Sequence, residues 1–190
     1  MSTTRTTVRT IGVALRAMLV LTLVLGLGYT LVLTGIGQLA LPWQANGSLL
    51  TDTRGEAAGS SLIGQSFTNA EGTALPEYFQ SRPSAAGNGY DAGASGGSNW
   101  GPENPDLIAA VEARQSAISA LDEVPVTGIP ADAVTASASG LDPHISVAAA
   151  LYQVHRVASA RGLSEADVQS LVEQNTEGRQ FGIFGELRVN

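Results

Sequence analysis

Cysteine is absent from the 190 residues. That excludes a disulfide framework, a thiol nucleophile, a cysteine-based zinc site and a lipidated cysteine anchor. Lysine is absent too, and all ten basic residues are arginine. A P-loop lysine and a Schiff-base lysine are therefore excluded. Aromatic residues make up 5% of the chain, the net charge is −7 and the pI is about 4.7. Such a chain offers no basic patch with stacking aromatics, so nucleic acid is not an expected partner. Histidine occurs only at positions 144 and 155. If both lie on one helix, the 11-residue offset is about 16 Å of rise, too far for one metal ion, and no metal site is expected.

What is present begins with Ala17–Leu41, an apolar run without a charge. A bilayer core takes about 20 apolar residues as a helix, so this run is long enough to span. A helix also satisfies every backbone group internally. A cleaved signal peptide has a shorter apolar core of about 7–15 residues and a small-x-small cleavage site, which Gln38–Pro42 does not supply. Arg5, Arg9 and Arg16 precede the span, and only Arg54 follows it closely. Positive flanks stay inside, so the expected order is a cytoplasmic tail over 1–16, a transmembrane helix over 17–41 and an extracytoplasmic domain over 42–190. Trp43 suits an anchor at the interface. Gly26, Thr30 and Thr34 recur every four residues, which puts small side chains on one helix face for packing with partner helices.

The rest of the chain predicts one small α+β domain. Ser61–Phe67 reads as a short strand. Residues 68–105 are rich in Gly and Pro, and Tyr78, Phe79, Tyr90 and Trp100 within them argue for an ordered loop. Asn104-Pro105 predicts a helix start, with the helix running over Pro105–Asp122. Asp142-Pro143 predicts a second start in the same way, with a helix over Pro143–Arg161 that ends at Gly162. Its apolar residues are Ile145, Ala148, Leu151, Tyr152 and Val157. Ser164 opens a third helix, with Val168, Leu171 and Val172 on its apolar side. Residues 181–190 alternate as a strand would.

The candidate chemistry is sparse. Ser137, Ser139 and Gly140 lie just before the expected second helix, and the N–H groups and positive dipole end of a helix N-terminus attract anions. They are the candidate site for a phosphate or carboxylate, set against a plain capped helix with a small-residue loop. Ser139, Asp142 and His144 do not make a nucleophile–base–orienter set if Asp142 caps a helix, because residues two apart on a helix do not face each other. No catalytic residue is assigned. Ser95–Asn99 lacks the phosphate-loop spacing and the lysine, and reads as a tight turn.

Several segments in fixed order carry more: Pro42–Leu49 (PWQANGSL), Ser61–Phe67 (SLIGQSF), Tyr78–Ala85 (YFQSRPSA), Ser95–Asn99 (SGGSN), Val134–Asp142 (VTASASGLD) and Arg156–Ala158 (RVA). Together they resemble the C subunit of the bacterial Kdp-type potassium-transporting P-type ATPase. The resemblance implies a non-catalytic, single-span accessory subunit in the cell membrane. Its partners would be a potassium-channel-like subunit, an ATP-hydrolysing P-type subunit and membrane lipid. The role implied is to stabilise that assembly. An alternative role is a catalytic chaperone that binds ATP with the hydrolysing subunit, with no other cofactor. A reading from another class is a membrane-anchored extracytoplasmic enzyme. In that family the last strand continues past the equivalent of Arg188-Val189-Asn190, where this chain stops.

Overall fold

A computed structural model describes residues 2–190, with side chains from residue 4 onward. The chain divides into two compact units, one up to Ala58 and one over Gly59–Asn190.

The first unit is dominated by one helix. It runs as α1 (Ser2–Leu21), a π-helical stretch (Thr22–Tyr29) and α2 (Thr30–Ala40). Thr4–Ala40 is long and apolar enough to cross a membrane, with a mean hydropathy of 2.2 over its most apolar window and none of that window buried. At the end of α2, Leu41 leaves helical geometry and Pro42 opens the short α3 (Pro42–Ala45). Proline fits there because the first helical position needs no N–H partner. Gln38 and Asn46 exchange side-chain hydrogen bonds across this break. The Trp43 indole donates to the Leu49 carbonyl at 3.1 Å. β1 (Leu49–Thr51) then pairs with β2 (Ala57–Ser60).

The strand expected over Ser61–Phe67 is not formed. The Ser60 hydroxyl accepts the Leu62 amide, a turn that ends β2. Gly64 then passes so close to the Tyr90 ring that a β-carbon would lie 2.4 Å from it. The segment packs on other loops instead of pairing with a strand.

The second unit is a mixed helix-and-sheet domain. α4 (Pro105–Asp122) has the bounds predicted from sequence, with Asn104 accepting the Asp106 amide at its start. The short α5 (Ala131–Val134) leads to β3 (Ile145–Ser146), α6 (Val147–Arg161), α7 (Glu165–Gln174), β4 (Thr176–Glu177) and β5 (Arg188–Val189). The sheet order is β3-β5-β4, antiparallel, with Ile145 opposite Val189 and Glu177 opposite Arg188.

α6 starts four residues later than Asp142-Pro143 predicts. Ser146 is the cap, and its hydroxyl accepts the Ala149 amide. Asp132 in turn accepts the Ser146 amide and hydroxyl at 2.8 and 2.9 Å. The backbone at 145–146 is drawn into pairing with β5, so the helix cannot begin before it. The later start shifts the buried face. Ala149, Ala150, Val154, Val157 and Ala158 are buried, whereas Leu151, expected in the core, is 43% exposed. Small side chains on this face let α7 approach, and α7 contributes Val168 and Val172. Leu171, also expected inside, is largely exposed. Burying side chains of this kind stabilises the fold by about 1.5–3 kcal/mol each.

The strand expected over 181–190 reduces to β5, and residues 180–184 instead form a tight turn bridged between Gln180 and Phe184.

α6 and α7 also meet through an exposed pair. His155 Nδ1 lies 2.7 Å from Glu165 Oε1. The Glu165 carboxylate, by hydrogen bond and then by charge, holds the His155 imidazole above its ordinary value of 6.5. A raised histidine favours the folded state below about 6.5, and that contribution disappears as pH rises through the folded-state value. NMR titration is expected to place the His155 midpoint above 6.5, and Glu165→Gln is expected to return it towards 6.5. An unshifted midpoint in the parent chain would show that the pair does not persist in solution.

Candidate functional site

The segment Ser137–Gly140 lies in an interlock of loops, not at a helix N-terminus, because α6 begins only at Val147. The Ser137 amide donates to the Pro83 carbonyl at 3.0 Å, and the Gly140 amide donates to the Ser137 carbonyl at 3.2 Å. The Ser139 carbonyl accepts from the Gly96 amide and the Ser95 hydroxyl, both at 2.9 Å. The Gly140 carbonyl accepts the Ser84 hydroxyl at 2.6 Å. The Ser84 oxygen also accepts the Ala86 and Tyr90 amides. Ser137 is buried, and its hydroxyl oxygen has no partner among the described residues.

Glycine is required at 140 on two counts. Its φ is +69°, and a β-carbon there would lie 2.7 Å from both the Ala86 β-carbon and the Gly96 carbonyl. The small residues of this motif thus let three loop segments close on one another. Helix-dipole attraction, the physical ground for expecting an anion here, does not apply at this position.

Asp142 and His144 do face each other. The chain is not helical there, so the argument from helix spacing falls away. Asp142 Oδ1 accepts the His144 amide at 3.1 Å and lies 3.0 Å from His144 Nδ1. On its other oxygen, Asp142 pairs with Arg82 at 3.3 Å. The far ring nitrogen of His144 lies 3.7 Å from Glu177, which pairs with Arg188 at 2.7 Å. This chain of polar contacts ties the loop to the β4–β5 ribbon. Burial alone would raise the Asp142 carboxyl; the bonds from His144 and the charge of Arg82 outweigh it and hold the carboxyl below its ordinary value. The Ser139 hydroxyl accepts the Leu141 amide, and no hydrogen bond joins it to His144 among the described residues. His155 is engaged elsewhere with Glu165.

Sequence reasoning missed the most buried polar cluster. Asp122 at the end of α4 pairs with Arg156 of α6 at 2.7 Å, both side chains almost wholly enclosed. Arg156 also donates to the Tyr78 and Pro76 carbonyls and to Gln153. Gln153 receives the Gln80 amide and donates to the Gln80 carbonyl. One signal was available: Gln153 and Arg156, three apart, sit among buried small residues of α6, where an unpaired polar group would be costly.

In the first unit, the Thr30 hydroxyl donates to the Gly26 carbonyl at 2.7 Å. That places Gly26 and Thr30 side by side on the exposed apolar helix, and Thr34 follows one turn on. With its hydroxyl turned back to its own backbone, Thr30 presents a nearly apolar surface.

A family described as KdpC, K+-transporting ATPase, c chain, matches residues 11–190. Three relatives share the name potassium-transporting ATPase KdpC subunit. The Methylibium petroleiphilum protein is 55% identical over 181 residues, covering 93% of this chain and 91% of its own. The Acidobacterium capsulatum protein is 54% identical over 166 residues, covering 87% and 84%. The Caulobacter vibrioides protein is 52% identical over 177 residues, covering 93% and 86%.

Proposed function

The chain belongs to the KdpC family of K+-transporting ATPase subunits, and from that premise we propose that it is a non-catalytic accessory subunit that stabilises the assembly of the channel-like and ATP-hydrolysing subunits. The observation that carries this reading is the uncovered apolar helix, with Gly26 and Thr30 adjacent on it. A bilayer satisfies the apolar surface, and the small-residue face lets another helix approach closely. The arginine asymmetry, Arg5, Arg9 and Arg16 against Arg54, supports a cytoplasmic N-terminus and an extracytoplasmic domain.

The competing role is that of a catalytic chaperone holding ATP through Ser137, Ser139 and Gly140. Against it stands the bonding of that segment: the amides of Ser137 and Gly140 and the carbonyls of Ser139 and Gly140 are bonded within the domain. We expect ATP to bind the full chain in detergent no tighter than about 1 mM, about −4 kcal/mol.

The assembly role is tested by Gly26→Leu with Thr30→Leu. The subunit is expected to insert normally but to co-purify with its partners in clearly reduced yield, because two leucine side chains block close helix approach. A reporter fused after Asn190 is expected to be active only outside the cytoplasm. Undiminished co-purification would remove the helix face from the assembly, and an active cytoplasmic reporter would reverse the orientation.

A further inference from the structure

A groove of about 740 Å³ opens on the second unit beside α4. Arg114, Ile118 and Leu121 of α4 form one side of it, and Tyr90, Tyr152 and Arg82 contribute to its lining. Its floor is largely apolar, yet two guanidiniums line it in a domain rich in carboxylates.

One of the two lacks a counter-charge. Arg114 gives one hydrogen bond, from a terminal nitrogen to the Val134 carbonyl at 2.8 Å, and pairs with no carboxylate among the described residues. It is half-buried, and burial disfavours its charged form. Arg82 holds Asp142 with one nitrogen, while its Nε is buried with no partner among the described residues. Asp122 also lines the groove, but its charge is answered by Arg156. Burial, followed by the nearby Asp122 charge, raises the Tyr152 hydroxyl well above its ordinary value, so it remains a donor. The groove therefore sets apolar side chains beside a guanidinium that no carboxylate answers among the described residues. A guanidinium presents a planar fork that matches a carboxylate in two parallel bonds, and partial desolvation strengthens the match.

We propose that this groove receives an extended acidic peptide segment of another subunit of the complex, with an Asp or Glu carboxylate on Arg114 and its flanking apolar side chains against Ile118 and Leu121. Charge complementarity selects the occupant. A neutral apolar segment would leave Arg114 desolvated and unpaired, which is costly, whereas an acidic one supplies the missing counter-charge. The proposal rests on the reading of the chain as an accessory subunit and names the chemistry of one of its contacts.

The test places a photo-crosslinking benzoylphenylalanine at Ala117, an exposed residue of the groove lining, in the assembled membrane complex. Cross-linked peptides are then identified by mass spectrometry. The expected product is a partner-subunit peptide with an Asp or Glu close to the linked residue. Arg114→Glu is expected to cut the yield at least about tenfold, and Arg114→Lys by less. Because Arg114 also holds the Val134 carbonyl, loss of yield could reflect local unfolding. Exchanging the identified acidic residue for Arg in the Arg114→Glu background is expected to restore the yield, which unfolding would not allow. A cross-link to lipid, a cross-link to a peptide without an acidic residue, or a yield indifferent to Arg114→Glu each overturns the proposal. A complex that co-purifies intact without any cross-link overturns the groove and leaves the accessory role standing. Failure to co-purify at all overturns that role itself.

Discussion

Asp122→Ala is expected to destabilise the domain by about 3–5 kcal/mol. The cause is not the strength of the ion pair. Burial raises the Asp122 carboxyl above its ordinary value despite the Arg156 guanidinium 2.7 Å away. Desolvation thus offsets much of the attraction, as is common for enclosed pairs. What makes the loss large is the group left behind. Arg156 is 7% exposed and cannot reach water without disturbing the Tyr78 and Pro76 carbonyls and Gln153 that it also holds. For a domain of this size the melting temperature should fall by about 10 °C or more. Thermal unfolding of the purified chain, followed by circular dichroism, reads this directly. A fall of only a degree or two would mean that water enters the site and that the cluster is not enclosed in solution.

Gly140→Val should cost about 2–6 kcal/mol. Two independent penalties combine. A β-branched residue at φ +69° carries backbone strain of about 1–3 kcal/mol. Overpacking against Ala86 and the Gly96 carbonyl adds about 1–3 kcal/mol, since the neighbours at 2.7 Å include backbone atoms that cannot rotate away. Denaturant unfolding should show a lower midpoint with an unchanged slope, and a wild-type midpoint would show that the three loop segments are not locked together. A nucleotide titration comparing this variant with the parent would report unfolding in place of ligand contacts. Ser139→Ala is the cleaner comparison, because it removes only the hydroxyl that accepts the Leu141 amide.

Local signals carried the elements whose start and stop residues act on their own backbone. Asn104-Pro105 set α4, Gly162 ended α6 and Ser164 capped α7 through its hydroxyl and Asp167. The apolar helix was legible from its length alone. Asp142-Pro143 has the same chemistry as Asn104-Pro105 but a different outcome, because β5, more than forty positions later, pairs with residues 145–146 and delays the helix. No local pattern reports that competition. Ser61–Phe67 failed similarly: it reads as a short strand with a glycine in it, but Gly64 packs on Tyr90 and the Asp142 carbonyl. In the candidate site, the small residues of 137–140 were legible as unusual, and their partners were not. Those partners, Pro83, Ser84, Ala86, Ser95 and Gly96, come from a loop whose path depends on Gln153 and Arg156 of a later helix. Arg114 was invisible for the same reason, since an arginine's missing counter-charge is a property of three-dimensional neighbours.

The bonds that order residues 76–90 reach far along the chain. Ser84 meets Gly140 across 56 positions, Gln80 meets Gln153 across 73, and Arg156 meets Pro76 across 80. Contacts this remote must wait for loop closure before they return any free energy, which slows folding in domains that depend on them. As the chain emerges from its N-terminus, α4 can form from its own cap, but the loop before it lacks its remote partners until residues 137–140 and then α6 have followed. The Gly- and Pro-rich segment therefore stays open until late. The arrival of α6, bringing Gln153 and Arg156 together, is the step that closes it.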